Sequence, residues 1–276
     1  MTQRSLRGRV VLVTGAAGGI GSELCRQLVR GEGARLIMVD IDEPGMAALK
    51  RELGGGENIR IIRADLSAPA PIRVLCAQLA DEPIDVLINN AGLVYSGAFA
   101  TMDLENFDRI IDLNLRAPVH LTSGLLPRLV ESRGVVAFVA SGTGLMAPGI
   151  TNAYATSKYG LVGFSESLRA ELRGRVGVTT ICPAFVKTNI MESSRSGLKA
   201  GNGAHMNMLG DIVKRFGNRP EKVAAIIIRA IRKEKGLVPV GLMTHLSWWA
   251  KRIWPGFADY SNALLYKNMT RRGYIR

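Results

Sequence analysis

The sequence predicts an α/β fold, a doubly wound parallel sheet with helices on both faces. Two observations carry that expectation. Short β-branched runs alternate with longer helical patterns through the first 190 residues, the order that calls for a parallel sheet with right-handed crossovers. The runs are also continuously apolar rather than alternating, as strands covered on both faces are.

In chain order, the first strand is Arg9–Thr14, whose VVLVT core runs into a glycine-rich turn and a helix over Ile20–Arg30. Arg35–Val39 is the second strand, followed by a helix over Glu43–Leu53. Ile59–Arg63 is the third, with helix Pro69–Ala80 after it, and Val86–Asn89 is the fourth. One long helical pattern spans Leu104–Val130. Strand five is Val135–Ala140, a second long helix covers Asn152–Arg173, and strand six is Val178–Cys182. After Thr188 the pattern changes, and 189–217, rich at first in Ser, Gly, Asn and Met, reads as a flap. A helical pattern resumes over Arg219–Lys233, and Leu237–Val240 supplies one more strand, about seven in all. Residues 1–241 thus read as one domain and 242–276 as a basic, tryptophan-rich C-terminal extension.

Composition sets the outer bounds. Of 276 residues, 47% are apolar and 21% charged, which excludes a disordered chain short of apolar surface. Lys and Arg number 36 against 23 Asp and Glu, a net charge of +13 that invites an anionic partner. Cys25, Cys76 and Cys182 are odd in number and widely spaced, unlike a disulfide framework or a zinc cluster. The apolar run Val10–Val13 is too short for a signal peptide and leads into glycines rather than a cleavage site. No run approaches the roughly 20 apolar residues that cross a bilayer. A cytoplasmic protein is the expectation.

The chemistry begins at Gly15-Ala16-Ala17-Gly18-Gly19-Ile20-Gly21, between a strand and a helix. Glycines there allow a sharp turn and let backbone N–H groups approach a pyrophosphate at the helix N-terminus. Asp40 ends the second strand, 19 residues after Gly21. A carboxylate at that place accepts hydrogen bonds from ribose hydroxyls and repels a 2′-phosphate. No Lys or Arg lies in the glycine loop or directly after Asp40, so NAD(H) is favoured over NADP(H).

Four further groups follow: Asn89-Asn90-Ala91-Gly92, Asn114 within IDLNL, Ser141 after the fifth strand, and Tyr154-Ala-Thr-Ser-Lys158 beginning 13 residues later. With the TGxxxGxG loop, these groups make the chain resemble the short-chain dehydrogenase/reductase family over about residues 7–190. The residues have their own logic. Tyr154 and Lys158 are four apart, on one face of a helix. A free tyrosine titrates near 10, and a nearby ammonium stabilises its phenolate.

The resemblance implies a Rossmann-like sheet and a catalytic set of Asn114, Ser141, Tyr154 and Lys158. Tyr154 would be the general acid/base, and Ser141 would position the carbonyl or hydroxyl. Lys158 would also bind the nicotinamide ribose, with Asn114 holding a water that relays protons to it. The implied cofactor contacts are Gly15, Gly19, Ile20, Gly21, Asp40, Asp65, Leu66, Asn90, Ala91, Gly92, Tyr154, Lys158, Pro183, Val186 and Thr188. Asp65 would meet the adenine amino group, and Val186 and Thr188 the carboxamide. Ala184 stands where the family's PGxxxT segment has glycine. The expected reaction interconverts a secondary alcohol and a ketone. A homodimer or homotetramer using the Leu104–Val130 and Asn152–Arg173 helices is likewise implied.

Val94, Tyr95, Leu145 and Met146 read as walls of the substrate site, with Met191, Met206 and Met208 in the flap suiting a lipid- or steroid-like ligand. His120, His205 and His245 are scattered, so no metal is expected. In the tail, Leu242, Leu246, Trp249 and Ile253 fall on one helical face. Residues 245–276 carry a net side-chain charge of +5. That stripe suits either an anionic membrane surface or packing over the cleft or a neighbouring subunit. Two other classes stay open: a catalytically silent NAD-binding sensor or scaffold, and a nucleic-acid binder. The complete Ser141/Tyr154/Lys158 set argues against the first. Scattered basic residues without a recognisable module argue against the second.

Overall fold

The computed structural model describes residues 3–188, 190, 213 and 217–271. Its strands are β1 (Val10–Thr14), β2 (Arg35–Asp40), β3 (Ile59–Arg63), β4 (Val86–Asn89), β5 (Val135–Val139), β6 (Gly177–Pro183) and β7 (Leu237–Val240). They form one parallel sheet in the order β3-β2-β1-β4-β5-β6-β7. The winding reverses between β1 and β4, and ligands of such sheets lie beyond the carboxyl ends of the strands at that reversal.

The helices are α1 (Gly19–Arg30), α2 (Glu43–Glu52), α3 (Pro69–Gln78), α4 (Leu104–Ile111), α5 (Ala117–Glu131), α6 (Asn152–Glu171), α7 (Pro220–Arg232), α8 (Leu242–Ile253) and α9 (Pro255–Arg271). Period-two alternation along β1 splits the core into two layers. Val11 and Val13 pack with Leu24 and Leu28 of α1 and with Ile227 and Ile231 of α7. Val10 and Leu12 face the other layer, with Leu75 of α3, Leu121 and Leu125 of α5, and Leu161 of α6. Doubly covered strands explain the unbroken apolar runs of the sequence.

Two elements depart from expectation. The long helix foreseen over Leu104–Val130 is interrupted by a π-helical turn at Asp112–Arg116, which holds Asn114. Pro118 has no N–H to return to the Asn114 carbonyl, so the regular ladder cannot continue there. The second departure is α9, which the sequence left as an unassigned tail. Its inward face is sparse, Ala258 and Met269 being its buried residues, so its periodicity is weak. The 189–217 flap, with Met191, His205, Met206 and Met208, lies almost wholly outside the described residues.

The tail folds back along the loop that follows β5. Thr244 is buried and Trp248 packs against the core layer of α3, α5 and α6. The Asn262 side-chain amide donates to the Ala147 carbonyl and its oxygen accepts from the Gly149 N–H. Met269 joins Ala98 and Ile150 in a small cluster of its own. The stripe Leu242, Leu246, Trp249 and Ile253 points the other way and is exposed on this chain.

Candidate active site

The turn after β1 is built around three glycines that a side chain would obstruct. Gly15 has φ +65°, and a Cβ there would lie 2.8 Å from the Ala91 Cα. At Gly21 it would stand 1.9 Å from the Gly15 carbonyl oxygen, and at Gly19 2.5 Å from Thr188 Cγ2. Helix α1 starts directly from this turn, with Gly18 as its N-cap and no side chain capping the first donors. An open helix N-terminus in a glycine cradle fits the diphosphate of a dinucleotide.

Neighbouring strands brace the turn. Thr14 Oγ1 accepts the N–H groups of both Asn90 and Ala91, at 2.9 and 3.0 Å. The Asn90 amide returns a bond to the Thr14 carbonyl at 2.9 Å and reaches the Gly15 carbonyl. Asn90 therefore ties β4 to the turn. Thr14 opens the TGxxxGxG spacing of the sequence, but its bracing of the turn was not among the expected contacts.

Asp40 closes β2 with its carboxylate directed at the turn, accepting from the Ala17 N–H at 2.9 Å and the Asp42 N–H at 3.0 Å. Asp65 lies just past β3, and its carboxylate accepts from the Ser67 N–H and hydroxyl. Burial works to raise this carboxyl. The Ser67 bonds and the fields of Arg109 and Arg63 outweigh it and hold the group below its ordinary value. Leu66 is buried in the core layer beside it. Pro183 ends β6, Val186 pairs with Asn218 as an isolated parallel bridge, and the Thr188 side chain rests on Gly19. Ile20 belongs to the first turn of α1. These residues, expected from sequence to meet a cofactor, thus lie at or just past the carboxyl ends of β1, β2, β3, β4 and β6, on both sides of the sheet reversal.

Between β4 and β6, β5 and the helix α6 bring together the side chains expected to be catalytic. Ser141 follows β5 and is close enough to the Tyr154 hydroxyl to pull its pKa down, while its oxygen accepts the Thr143 N–H at 3.1 Å. One turn along α6, the Lys158 ammonium lies 5.7 Å from the centre of the Tyr154 ring and donates to the Val139 carbonyl at 2.9 Å. Lys158 is buried, and that desolvation pulls its pKa down to about 8. Burial pushes the Tyr154 hydroxyl up, against the opposing pull of Ser141. In these surroundings the phenol is thus held above its ordinary value, where the sequence reading had stressed lowering by the ammonium. Desolvation of the site outweighs it.

Asn114 is fully buried in the π-helical turn. Its oxygen accepts the Leu93 N–H and its amide donates to the Leu93 carbonyl, both at 2.9 Å, and to Ser157 Oγ at 3.1 Å. Ser157 in turn donates to the Tyr154 carbonyl at 2.8 Å. This chain couples the loop after β4 to the catalytic helix, and Ser157 is a link the sequence reading missed. A Cβ at Gly92 would come within 3.0 Å of Asn114 Oδ1 and 3.6 Å of Lys158 Nζ, so glycine leaves the approach to both groups open.

The expected walls divide. Tyr95 packs with Leu93, Met102, Ile110 and Ala153, and Leu145 joins the main core layer. Val94 and Met146 stay partly exposed. His120 and His245 are exposed, and His205 lies outside the described residues. Among the described residues no group of three or more His, Cys, Asp or Glu could hold a metal ion. All three cysteines are free. Cys182 sits behind the site, its thiol pushed up to about 12 by burial.

The short chain dehydrogenase family model matches residues 9–199. Dehydrogenase/reductase SDR family member 7B of Xenopus laevis is 29% identical over 98% of this chain and 86% of its own length. Oxidoreductase UcpA of Salmonella typhimurium is 36% identical over 68% of this chain and 73% of its own. Among solved structures, a short-chain dehydrogenase/reductase from Burkholderia phymatum in complex with NAD superposes with a TM-score of 0.81. It is 25% identical, over 90% of this chain and 92% of that one. A short-chain dehydrogenase from Sphingobium yanoikuyae in complex with NADPH gives 0.74 at 25% identity, over 94% and 95%. Glycine turn, Ser141, Tyr154 and Lys158 therefore sit in a familiar frame, and this chain belongs to the short-chain dehydrogenase/reductase family of NAD(P)-dependent oxidoreductases acting on CH–OH donors.

Proposed function

We propose that this enzyme interconverts a secondary alcohol and a ketone with NAD(H), on an apolar substrate. The observation that carries the proposal is the placement of Lys158 one turn from Tyr154 on α6, its ammonium 5.7 Å from the ring centre, with Ser141 acting on the Tyr154 hydroxyl. When bound, the dinucleotide supplies or accepts the hydride. The chain's own groups handle the proton and the oxygen. Ser141 holds the substrate oxygen beside the Tyr154 hydroxyl. In ketone reduction Tyr154 donates its proton as the carbonyl oxygen gains charge, and in oxidation the phenolate takes the hydroxyl proton. A phenol held above its ordinary value is protonated at neutral pH, the form that reduction consumes. Lys158, one turn away, favours the phenolate. Holding the oxygen and the acid together accounts for much of the acceleration by proximity.

Asp40 supports NAD(H) over NADP(H), because its carboxylate faces the turn and would meet a 2′-phosphate with like charge. The apolar substrate is supported by the loops after β4 and β5, where Val94 and Met146 stay partly exposed and 90–98 and 140–151 hold no charged residue. The test is Tyr154→Phe, expected to lower kcat by about 10²–10⁴ while NADH affinity changes little. Near-normal turnover by that variant would reject the proposal, and NADH binding without turnover of any alcohol or ketone by the wild type would favour a sensor.

A further inference from the structure

We propose that α8 and α9 seat this enzyme on an anionic lipid surface, so that its substrate passes from the bilayer to the mouth of the active site. The second half of this inference rests on the apolar-substrate reading above; the first half does not.

The tail has two distinct sides. Thr244 and Trp248 of α8 and Ala258, Asn262 and Met269 of α9 face the protein. On α8 the opposite stripe is Leu242, Leu246, Trp249 and Ile253, with Leu242 72% and Ile253 77% exposed. At the corner where the helices meet, Trp254 and Phe257 pair their rings 5.6 Å apart while remaining 68% and 52% exposed. Along α9 the exposure continues through Tyr260 and Leu264. Exposed large apolar side chains gathered on one pair of packed helices mark an interaction surface rather than ordinary scatter. No helix of the described residues is long and apolar enough to cross a membrane, so the geometry is that of helices lying in the interface plane.

Charge selects the occupant. Residues 245–276 carry Lys251, Arg252, Lys267, Arg271, Arg272 and Arg276 against Asp259 alone. Tryptophan with flanking Lys and Arg is the composition of interfacial helices on anionic lipid. A second copy docked on the same patch about a two-fold axis would set two tails of net +5 against each other, a like-charge juxtaposition that disfavours it. The patch is also well placed for delivery. Thr244 approaches Gly142, next to Ser141, and Asn262 holds Ala147 and Gly149 of the loop leading from Ser141 to Tyr154. The bilayer-facing helices are thus the back of one wall of the site.

All three tryptophans lie in this tail, Trp249 and Trp254 exposed on the patch and Trp248 facing the protein, so tryptophan fluorescence of the full chain reports on α8 and its corner with α9. The probes are phosphatidylcholine vesicles with and without about one-third phosphatidylglycerol. Expected are a blue shift and co-sedimentation with the anionic vesicles, weakened by added salt, and little of either with phosphatidylcholine alone. The double variant W249E/I253E should lower vesicle partitioning by about tenfold or more. Its turnover of a short, water-soluble ketone should match wild type, which also shows that it is folded. Absence of binding to anionic vesicles overturns the proposal. So does a dimer that W249E/I253E dissociates in the absence of any vesicle binding, which makes a second copy the occupant. Given vesicle binding, apolar ketones turned over no faster from vesicles than from detergent overturn delivery alone. Apolar ketones turned over in neither form, beside active turnover of the soluble ketone, overturn the apolar-substrate reading. Both outcomes leave the docking established.

Discussion

The Asp40 carboxylate accepts the backbone N–H of Ala17 at 2.9 Å, so the acid that ends β2 is also a strut for the turn after β1. One side chain thereby combines the charge proposed to select the cofactor with a structural bond. Asp40→Asn keeps an acceptor oxygen for the turn and removes the charge. It should narrow the preference for NADH over NADPH by about tenfold, on the order of one lost charge-assisted bond. Asp40→Ala removes the strut as well and should cost about 1 kcal/mol more in stability. Fluorescence titration of both nucleotides and denaturant melts separate the two roles. An NADH-to-NADPH affinity ratio unchanged in Asp40→Asn would leave the strut as its whole contribution.

Two glycines should respond in opposite directions. A Cβ at Gly21 would stand 1.9 Å from the Gly15 carbonyl, backbone against backbone. Gly21→Ala should therefore destabilise by about 1–3 kcal/mol, as overpacking does, and lose nucleotide binding. Gly163, within α6, has nothing within 4 Å of its Cβ position. There Ala should stabilise by about 0.5–1 kcal/mol through helix propensity. Thermal melts of the two variants, with NADH titration, decide both.

What was legible in the sequence follows from what is local. Strands buried on both faces read as unbroken apolar runs, and all seven appear within two residues of their expected limits. Ser141, Tyr154 and Lys158 could be placed because a strand end and one helical turn fix their spacing. The break at Asn114 was not legible as such. Pro118 marks a place where the ladder fails, but the π-helical turn that results also holds a buried amide bonded to Leu93 and Ser157, contacts 21 and 43 residues distant in the chain. The raised Tyr154 hydroxyl was equally hidden, since burial is a property of the assembled site. Helix α9 escaped because it rests on the protein by a few side chains, so no apolar period marks it.

Lys158 should show the conflict between stability and function. Its pKa falls from the ordinary 10.5 to about 8 because burial penalises the ammonium. Below pH 8 folded and unfolded chains are both protonated there, and folding bears the full penalty, on the order of 3 kcal/mol. Between pH 8 and 10.5 the unfolded chain binds more protons, so this contribution makes stability rise with pH. Lys158→Met removes the penalty but leaves the Val139 carbonyl without its donor, a loss of about 1–2 kcal/mol. The inactive variant should therefore be the more stable by about 1–2 kcal/mol at pH 7, and that advantage should vanish or reverse by pH 10. Urea denaturation at the two pH values tests the sign. An equal difference at both would mean the ammonium is not desolvated.

The loop from Ser141 to Tyr154 is clamped at its far end by Asn262 of α9, through Ala147 and Gly149. The near end is held independently, by the bonds of Ser141 to Thr143 and of Lys158 to Val139. Asn262→Ala should thus loosen the wall of the substrate site without disturbing the reacting groups. The two lost bonds amount to about 1–2 kcal/mol, and the expected signature is KM for the ketone raised about fivefold to twentyfold with kcat within about twofold. Such a split marks binding shared equally by ground and transition states. Asn262→Asp keeps an acceptor for the Gly149 N–H and removes the donor to Ala147, so its KM should fall between the two. A drop in kcat at unchanged KM would instead mean that α9 acts on Tyr154 itself, and the clamp would have to be reassigned to the proton-transfer step.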